Sequence, residues 1–284
     1  MNALTEPKID AHCHVFDPAR FPYSPDAAYH PAGQEMGNAE YFLQLMACHE
    51  VRHALLVGPN SGYATDNRCL LHALQIGQGA FKGIAVVPND CSLETLQQLQ
   101  SQGVIGIAFN PALMGSDFYA DIEPLLLRLQ QLDMWAQLQV DKDLLLDFLP
   151  MFSRVDVKLM VDHCGRPNVP AGLSQPGFQA LLALGREQRA VVKLSGFAKF
   201  SASPYPFEDV RPYAEALAYD FGLSHCVWGS DWPFLRAPGR LDYGPVLKLY
   251  DSLFTPQERH QLMWASPRHH FGFGAEGSAN GLHS

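Results

Sequence analysis

The sequence predicts an α/β fold, namely a single-domain TIM-type (β/α)8 barrel over residues 1–271. Eight short runs of apolar and β-branched residues recur along the chain, and segments with helical periodicity separate them. No change of composition and no linker divides these units, which favours one closed barrel. An open doubly wound sheet is the alternative, but that fold places a glycine-rich turn after its first strand, where this chain has His12-Cys13-His14.

The predicted strands follow one another at intervals that leave room for a helix between each pair. In chain order they span residues 9–16, 53–58, 83–87, 104–109, 135–140, 158–162, 191–195 and 226–229. The helices are predicted from apolar residues three or four positions apart, as at Leu125, Leu126 and Leu129. The last helix is predicted to begin at a capping box, Thr255-Pro256-Gln257-Glu258, with proline at its first position.

Two segments lack this alternation of strand and helix. Residues 21–37 include three prolines, so we predict a loop that crosses the top of the barrel. Residues 272–284 are rich in Gly, Ser and Asn, and we predict a flexible C-terminal tail.

Charge and composition exclude several classes of protein. The chain has 20 Lys and Arg against 29 Asp and Glu, a net charge of −9, which is unlike a nucleic-acid binder. No apolar stretch is long enough to span a bilayer, and the first residues lack the apolar core of a signal peptide. The six cysteines are scattered, with no CxxC pair, so we expect reduced thiols and a cytoplasmic location.

Chemically capable residues follow three of the predicted strands. His12 and His14 end strand one on the same face as Asp10, because side chains alternate along a strand. His163 follows strand six, and Asp231 follows strand eight. Each alone is typical of a core histidine or a turn-forming aspartate, but barrel active sites lie at the carboxyl ends of the strands. We therefore expect the three histidines and Asp231 to converge on one cavity there.

Several longer motifs surround these residues. They are Asp10-Ala11-His12-Cys13-His14, Gly62-Tyr63-Ala64-Thr65-Asp66-Asn67, Val104-Ile105-Gly106-Ile107-Ala108-Phe109-Asn110, Asp162-His163-Cys164-Gly165-Arg166-Pro167, Lys193-Leu194-Ser195-Gly196 and Gly229-Ser230-Asp231-Trp232-Pro233. In these motifs the chain resembles the amidohydrolase superfamily, in the branch that contains 2-pyrone-4,6-dicarboxylate lactonase and sugar-acid lactonases. The resemblance covers nearly the whole chain and implies hydrolytic opening of a lactone, with the strand-eight aspartate as base.

The same residues raise the question of a metal, since histidine and aspartate are ligands for zinc or manganese. Two-metal members of the superfamily resemble one another in a carboxylated lysine on strand four and a histidine on strand five. Here strand four ends in Ala108-Phe109-Asn110 and strand five in Gln137-Leu138-Gln139. The resemblance therefore implies catalysis without a cofactor. The alternative is one divalent ion, zinc or manganese, held by His12, His14, His163 and Asp231.

Hydrolysis of a lactone needs a deprotonated water and a polarised carbonyl group. We expect Asp231 to take the proton from water. The histidines would hold the water or donate to the carbonyl oxygen as negative charge develops there. The sequence does not divide these roles among the three histidines.

The substrate is predicted from the cations that could bind it. The dicarboxylate lactonases resemble one another in two arginines near the end of strand four, where this chain has Ala108 and Met114. We therefore expect a cyclic ester with at most one carboxylate, or a neutral sugar lactone. The candidate substrate-binding residues are Arg166, Lys199, Asn60, Ser61, Tyr63, Thr65 and Asn110.

Two other functions remain open from the sequence. A decarboxylase of an aromatic or enoic carboxylate would use one metal and nearly the same histidines and aspartate, although its strand-five histidine is missing. A catalytically silent barrel that binds a metabolite would have no need of three histidines and an aspartate together. For either enzyme we expect a small-molecule substrate and no nucleic-acid or membrane partner, and a homo-oligomer is compatible with the sequence.

Overall fold

Eight parallel strands form the centre of the structure, and neighbouring strands pair in chain order. The computed structural model describes residues 2–27 and 29–274. Their strands are β1 Lys8–Cys13, β2 Val51–Val57, β3 Phe81–Ala85, β4 Val104–Phe109, β5 Trp135–Leu138, β6 Lys158–Val161, β7 Ala190–Leu194 and β8 Cys226–Trp228. All eight overlap the predicted strands, so the predicted single-domain TIM-type barrel is confirmed.

The barrel closes where the residues after β8 bond to β1. Asp231 N donates to His12 O at 2.8 Å, and His14 N donates to Trp232 O at 2.8 Å. Cys13 and Trp232 form a parallel bridge between the same two segments. Backbone closure of the barrel therefore places Asp231 beside the two histidines of strand one.

Helices cover the outside of the strands. In the described residues they are α1 Ala39–Cys48, α2 Arg68–Gly77, α3 Leu93–Ser101, α4 Pro111–Met114, α5 Glu123–Gln131, α6 Leu145–Phe152, α7 Pro176–Arg186, α8 Arg211–Phe221, α9 Tyr243–Leu253, α10 Pro256–His260 and α11 Ser266–Phe271. Thr255 and Glu258 form the predicted capping box at the start of α10. Among the helices of the described chain, none has the length and apolar character needed to cross a bilayer.

Apolar side chains fill two layers. The larger layer lies between the strands and the helices, and the smaller one fills the barrel interior with residues such as Leu55 and Met160. Trp264 and Phe271 join this interior cluster, and Phe271 packs edge-on against Trp135 at the start of β5. The C-terminal helices therefore close the amino-terminal end of the barrel, which leaves the carboxyl ends of the strands for a site.

The predicted C-terminal tail begins inside this packing. Phe273 is buried and stacks on His53, with 4.8 Å between the ring centroids. Lys82 Nζ donates to Gly272 O at 3.0 Å. Packing thus extends to Phe273, past the predicted boundary at 271, and residues 275–284 of the predicted flexible tail lie outside the described residues.

The predicted loop 21–37 covers part of the barrel mouth. Its described residues contain one short 3-10 turn, Gly33–Glu35, and are otherwise irregular. Tyr23 packs against Phe16 and Tyr63, while Tyr29 lines the cavity at the mouth.

Candidate active site

Three histidines surround one carboxylate oxygen at the barrel mouth. Asp231 Oδ1 lies 3.7 Å from His12 Nε2, 3.7 Å from His14 Nε2 and 3.6 Å from His163 Nε2. All four residues are buried. The structure therefore brings the four predicted side chains together, and three of them, His14, His163 and Asp231, line the cavity at the mouth. Their spacing is too long for direct hydrogen bonds and leaves room for an atom of water or substrate between them.

Asp10 ties the first strand to the loop after β8. Its Oδ1 accepts from Ser230 N at 2.8 Å and from His12 N at 3.2 Å, and its Oδ2 accepts from the Tyr243 hydroxyl at 2.9 Å. Burial raises the pKa of Asp10 to about 6, although these hydrogen bonds oppose the shift. Asp10 thus bonds to helix α9 through Tyr243, does not line the cavity, and fixes the backbone that carries His12.

The turn after β6 has an unusual backbone. His163, Cys164 and Arg166 have φ values of 50°, 58° and 45°, and Asp231 has a φ of 62°. Non-glycine residues seldom adopt this left-handed region, which costs of order 1–3 kcal/mol each and is concentrated at functional sites. In this conformation His163, Arg166 and Asp231 all line the cavity at the mouth.

Two glycines make room for the histidine rings. A Cβ on Gly196 would lie 2.4 Å from His163 Nδ1, and one on Gly229 would lie 2.6 Å from His12 Cβ. Gly196 also has a φ of +63°, which other residues adopt only with strain. His163 Nδ1 lies 3.0 Å from Ser195 Oγ, so the residues at the end of β7 hold this ring in place.

A second polar cluster lies beneath the histidines. Lys193 Nζ donates to Gln137 Oε1 at 2.7 Å, lies 3.0 Å from His12 Nδ1 and is 3.1 Å from Asp162 Oδ1. Gln137 Nε2 in turn donates to Asp162 Oδ2 at 2.9 Å. All of these side chains are buried. Lys193 belongs to one of the sequence motifs, but no role is predicted for it from the sequence. The feature that indicates a role is a charged residue within the otherwise apolar strand β7.

Burial and charge fix the protonation of this region. Burial, assisted by the Lys193 charge, lowers the pKa of His12 to about 4, and burial lowers the pKa of His163 well below its ordinary value. Burial alone would raise the pKa of Asp162, but Lys193 and His12 outweigh it and hold that pKa well below its usual range. Near neutral pH, His12 and His163 are therefore neutral and Asp162 is ionised.

Lys199 pairs with the other oxygen of Asp231. Its Nζ lies 3.0 Å from Asp231 Oδ2 and donates to Leu235 O at 3.2 Å. Burial would raise the pKa of Asp231, yet Lys199 and the histidines together hold it well below its ordinary value. Asp231 is thus ionised, with Oδ2 bound to Lys199 and with Oδ1 buried and lacking a hydrogen-bond partner in the described residues.

The cavity above these groups has a volume of about 460 Å³. Five of the seven predicted substrate-binding residues line it, together with two residues that sequence reasoning missed, Tyr29 and Arg236. The five are Asn60, Ser61, Asn110, Arg166 and Lys199. The Arg236 guanidinium lies 4.4 Å above the centre of the Tyr29 ring, so the loop after β8 adds a cation at the rim.

The structure does not bring Tyr63 and Thr65 to this cavity. Tyr63 is buried, its hydroxyl accepts from Asp17 N at 2.9 Å, and its ring stacks on Phe16. Thr65 is exposed to solvent. The loop after β2 therefore presents Asn60 and Ser61 to the cavity, whereas Tyr63 packs against Phe16 after strand one.

Arg166 offers an unused hydrogen-bond donor. Its Nε is buried and has no hydrogen-bond partner within residues 2–27 and 29–274. The residue also lines the cavity. A buried guanidinium donor without a partner is ready to bind an anionic group of a ligand.

Two groups of buried donor atoms resemble metal sites. Ligand atoms of His12, His14 and Asp231, and those of His12, Asp162 and His163, lie within 4.8 Å of one another. However, strand four offers Ala108 to the cavity, and on strand five Gln137 is bonded to Asp162 and Lys193. The buried Lys193 ammonium beside His12 also opposes a further cation. Strands four and five therefore lack the ligands of a two-metal site, while the buried histidines and carboxylates form groups that could hold one ion.

Comparison with known proteins gives the family. The amidohydrolase family model matches residues 9–273. A 4-sulfomuconolactone hydrolase of Rhizobium radiobacter is 29% identical over 279 residues, which are 95% of this chain and 91% of that protein. A 2-pyrone-4,6-dicarboxylate hydrolase of Comamonas testosteroni is 27% identical over 237 residues, 79% of this chain and 76% of that protein.

A solved structure shows the same fold with a similar sequence. It is described as a probable 2-pyrone-4,6-dicarboxylic acid hydrolase from Acinetobacter baumannii with citric acid bound. It superposes with a TM-score of 0.82 at 26% identity and covers 94% of this chain and 100% of its own. With a family match over nearly its whole length, this chain belongs to the amidohydrolase family.

Proposed function

We propose that the protein is a lactone hydrolase, which opens a small cyclic ester by attack of a water activated by Asp231. One observation carries the proposal. Asp231 Oδ1 is buried without a hydrogen-bond partner in the described residues, while three histidine Nε2 atoms lie 3.6–3.7 Å from it. A proton acceptor and several potential donors thus surround one point at the floor of a cavity. The hydrolases of similar sequence support the same reaction class.

The position of the attacking water follows from Asp231 and His14. His14 Nδ1 lies 2.8 Å from Val57 O, and a carbonyl oxygen can only accept, so Nδ1 carries a proton. In neutral His14 the Nε2 atom is then an acceptor. A water between Asp231 Oδ1 and His14 Nε2 can donate to both atoms, which directs its lone pair toward the substrate.

The reaction balances with these groups alone. The water oxygen bonds to the lactone carbonyl carbon as Asp231 takes a proton, and the carbonyl oxygen becomes an oxyanion. His12 and His163 lie beside that oxygen and stabilise it through hydrogen bonds. When the intermediate collapses, the ring carbon–oxygen bond breaks and the leaving oxygen recovers the proton from Asp231. The product is the open-chain acid, and no step requires a metal ion.

The cavity walls suggest the kind of lactone. Arg166 and Arg236 supply cations away from the reacting centre, and Asn60, Ser61 and Asn110 supply polar groups. The sequence predicts a pocket with little positive charge, because Ala108 and Met114 stand where the dicarboxylate lactonases have arginines. Arg236 adds a positive charge that this prediction does not include. We propose a small lactone with one anionic substituent held by the Arg166 guanidinium.

The decarboxylase alternative depends on one firmly held metal ion. Gln137 occupies the strand-five position that such a site needs, and its amide is bonded to Asp162 and Lys193. These bonds favour the hydrolase.

A panel of lactones tests the proposal. The purified protein is offered carboxylated 2-pyrones, muconolactones and sugar-acid lactones, and acid release is followed with a pH indicator, with and without a chelator. We expect turnover of at least one anionic lactone that the chelator does not reduce. Absence of turnover across the panel, together with release of CO₂ from an aromatic carboxylate when manganese is added, would instead establish the decarboxylase.

A further inference from the structure

The lysine beneath the histidines is an unusual neighbour for a histidine in this position. Lys193 is wholly buried in β7. Three atoms surround its Nζ: Gln137 Oε1 at 2.7 Å, His12 Nδ1 at 3.0 Å and Asp162 Oδ1 at 3.1 Å. An ammonium group has three protons and no acceptor. The contacts with Gln137 and His12 are hydrogen bonds, whereas the contact with Asp162 Oδ1 is an ion pair without hydrogen-bond alignment.

The direction of each contact can be worked out from its partners. Gln137 Nε2 donates to Asp162 Oδ2 at 2.9 Å, so Gln137 Oε1 is left to accept from Lys193. The Asp162 carboxylate has only acceptor atoms. Because the Lys193 ammonium can only donate, His12 Nδ1 at 3.0 Å must be the acceptor of that contact.

The competing arrangement is poorly aligned. His12 Nδ1 lies 3.3 Å from Asp162 Oδ1 and could in principle donate to it. However, Asp162 Oδ1 has no aligned hydrogen bond in the described part of the chain. The lysine contact therefore determines the state of His12 Nδ1.

We propose that Lys193 is a positioning residue that holds His12 as the tautomer with its proton on Nε2, so that His12 is a hydrogen-bond donor and a poor metal ligand. A neutral imidazole whose Nδ1 accepts must carry its proton on Nε2. That atom faces Asp231 and is buried without a partner in the described residues. The part of the proposal in which this proton binds the carbonyl oxygen rests on the proposed lactone hydrolysis.

The two histidines of strand one then have opposite polarity. His14 donates from Nδ1 to Val57 O at 2.8 Å, which leaves its Nε2 as an acceptor. His12 accepts at Nδ1 and donates at Nε2. An acceptor and a donor on one side of Asp231 Oδ1 suit a water and a carbonyl oxygen, respectively.

The same contact disfavours a metal ion on His12. A metal-bound histidine nearly always donates its other ring proton to a carboxylate or a carbonyl. His14 Nδ1 has such a partner in Val57 O, whereas the hydrogen-bond partner of His12 Nδ1 is an ammonium, and the Asp162 carboxylate at 3.3 Å is not aligned with it. Lys193 therefore places the proton on the nitrogen that an ion would need and adds a positive charge nearby.

Ring-nitrogen NMR tests the tautomer directly. Histidine labelled with ¹⁵N in the ring is incorporated, and the His12 signals are assigned by their loss in His12→Gln. In the wild-type protein at neutral pH we expect Nε2 to be protonated and Nδ1 to be bare. Wild-type His12 with a protonated Nδ1 and a bare Nε2 would overturn the proposal, and this reading needs no variant that might fail to fold.

Lys193→Met provides the second measurement, with Lys8→Met as its matched control. Lys8 is another wholly buried lysine of the barrel, and its ammonium donates to His49 O, away from the site. In Lys193→Met we expect the His12 proton to move toward Nδ1 and the affinity for zinc chloride, measured by calorimetry, to rise by about tenfold or more. Unchanged ring signals and unchanged zinc affinity in a folded variant would refute the role.

Activity adds a third reading that separates this proposal from the proposed function. If the protein hydrolyses a lactone, Lys193→Met should lower kcat by roughly 10²–10³-fold, the usual effect of removing an oxyanion donor, with KM changed only slightly. Lys8→Met should leave both constants near the wild-type values. If no lactone is turned over, the proposed function fails, while the NMR and zinc measurements still decide the tautomer.

Discussion

Replacement of Asp231 by asparagine removes the proposed base with little change of shape. Removal of a general base typically lowers a rate by roughly 10²–10⁴-fold, which corresponds to about 2.7–5.5 kcal/mol of transition-state stabilisation. The upper part of this range applies here, because Asp231 Oδ1 is the carboxylate atom that faces all three histidines. The fold should persist, since the Lys199 side chain is 21% exposed and water can solvate its unpaired ammonium.

The assay is steady-state lactone hydrolysis followed by acid release, combined with thermal unfolding of each variant. We expect kcat to fall and KM to change by only a few-fold. Asp133→Asn is the matched control, because Asp133 is 80% exposed and pairs with Lys158 at the other end of the barrel; its rate should equal the wild-type rate. A folded Asp231→Asn protein with a kcat within tenfold of the wild type would show that another group takes the proton.

Three other perturbations give separable results. Arg166→Gln should raise KM for a carboxylated lactone by about tenfold or more with little change in kcat, because a hydrogen bond to a charged group contributes about 1.5–3 kcal/mol; an unchanged KM in steady-state kinetics would exclude an anion at Arg166. Dialysis against a chelator should leave kcat unchanged, and restoration of lost activity by zinc or manganese would instead assign His12, His14, His163 and Asp231 as ligands. The pKa of His12 is lowered to about 4, so its ring ¹⁵N signals should keep the neutral pattern above that value and change only as the pH drops through it; protonation of His12 near pH 6.5, the ordinary value for histidine, would show that His12 is not held neutral.

The sequence contained enough information to place the barrel and the four central side chains. Strand β4 begins and ends where the apolar run predicts, at Val104 and Phe109. The convergence of the histidines with Asp231 follows from the fold, because parallel strands present their carboxyl ends at one edge. The apolar runs therefore predict where the strands end, and with that where these four residues lie.

Other parts of the site depend on tertiary contacts that no local pattern records. Tyr63 and Asn60 lie on the same loop, yet only Asn60 lines the cavity, since the Tyr63 hydroxyl is fixed by Asp17. Arg236 reaches the cavity because the irregular loop after β8 folds back over Tyr29. The role of Lys193 depends on partners 56 and 181 residues away in sequence, Gln137 and His12.

Two lysines together set the charges that hydrolysis would need. Lys199 binds Asp231 Oδ2 and stabilises the ionised carboxylate, which makes Asp231 a weaker base but keeps it ready to accept a proton across the neutral range. Burial, and with it the charge of Lys193, disfavours a positive charge on His12, which keeps that ring a neutral donor. The ionised Asp231 carboxylate and the neutral His12 ring thus lie 3.7 Å apart. Without the two ammonium groups, a carboxylate and an imidazole this close would tend to share a proton. Fixed ammonium groups can therefore provide the electrostatic arrangement that a bound cation would otherwise supply, which is the physical basis for the metal-free reaction proposed for this barrel.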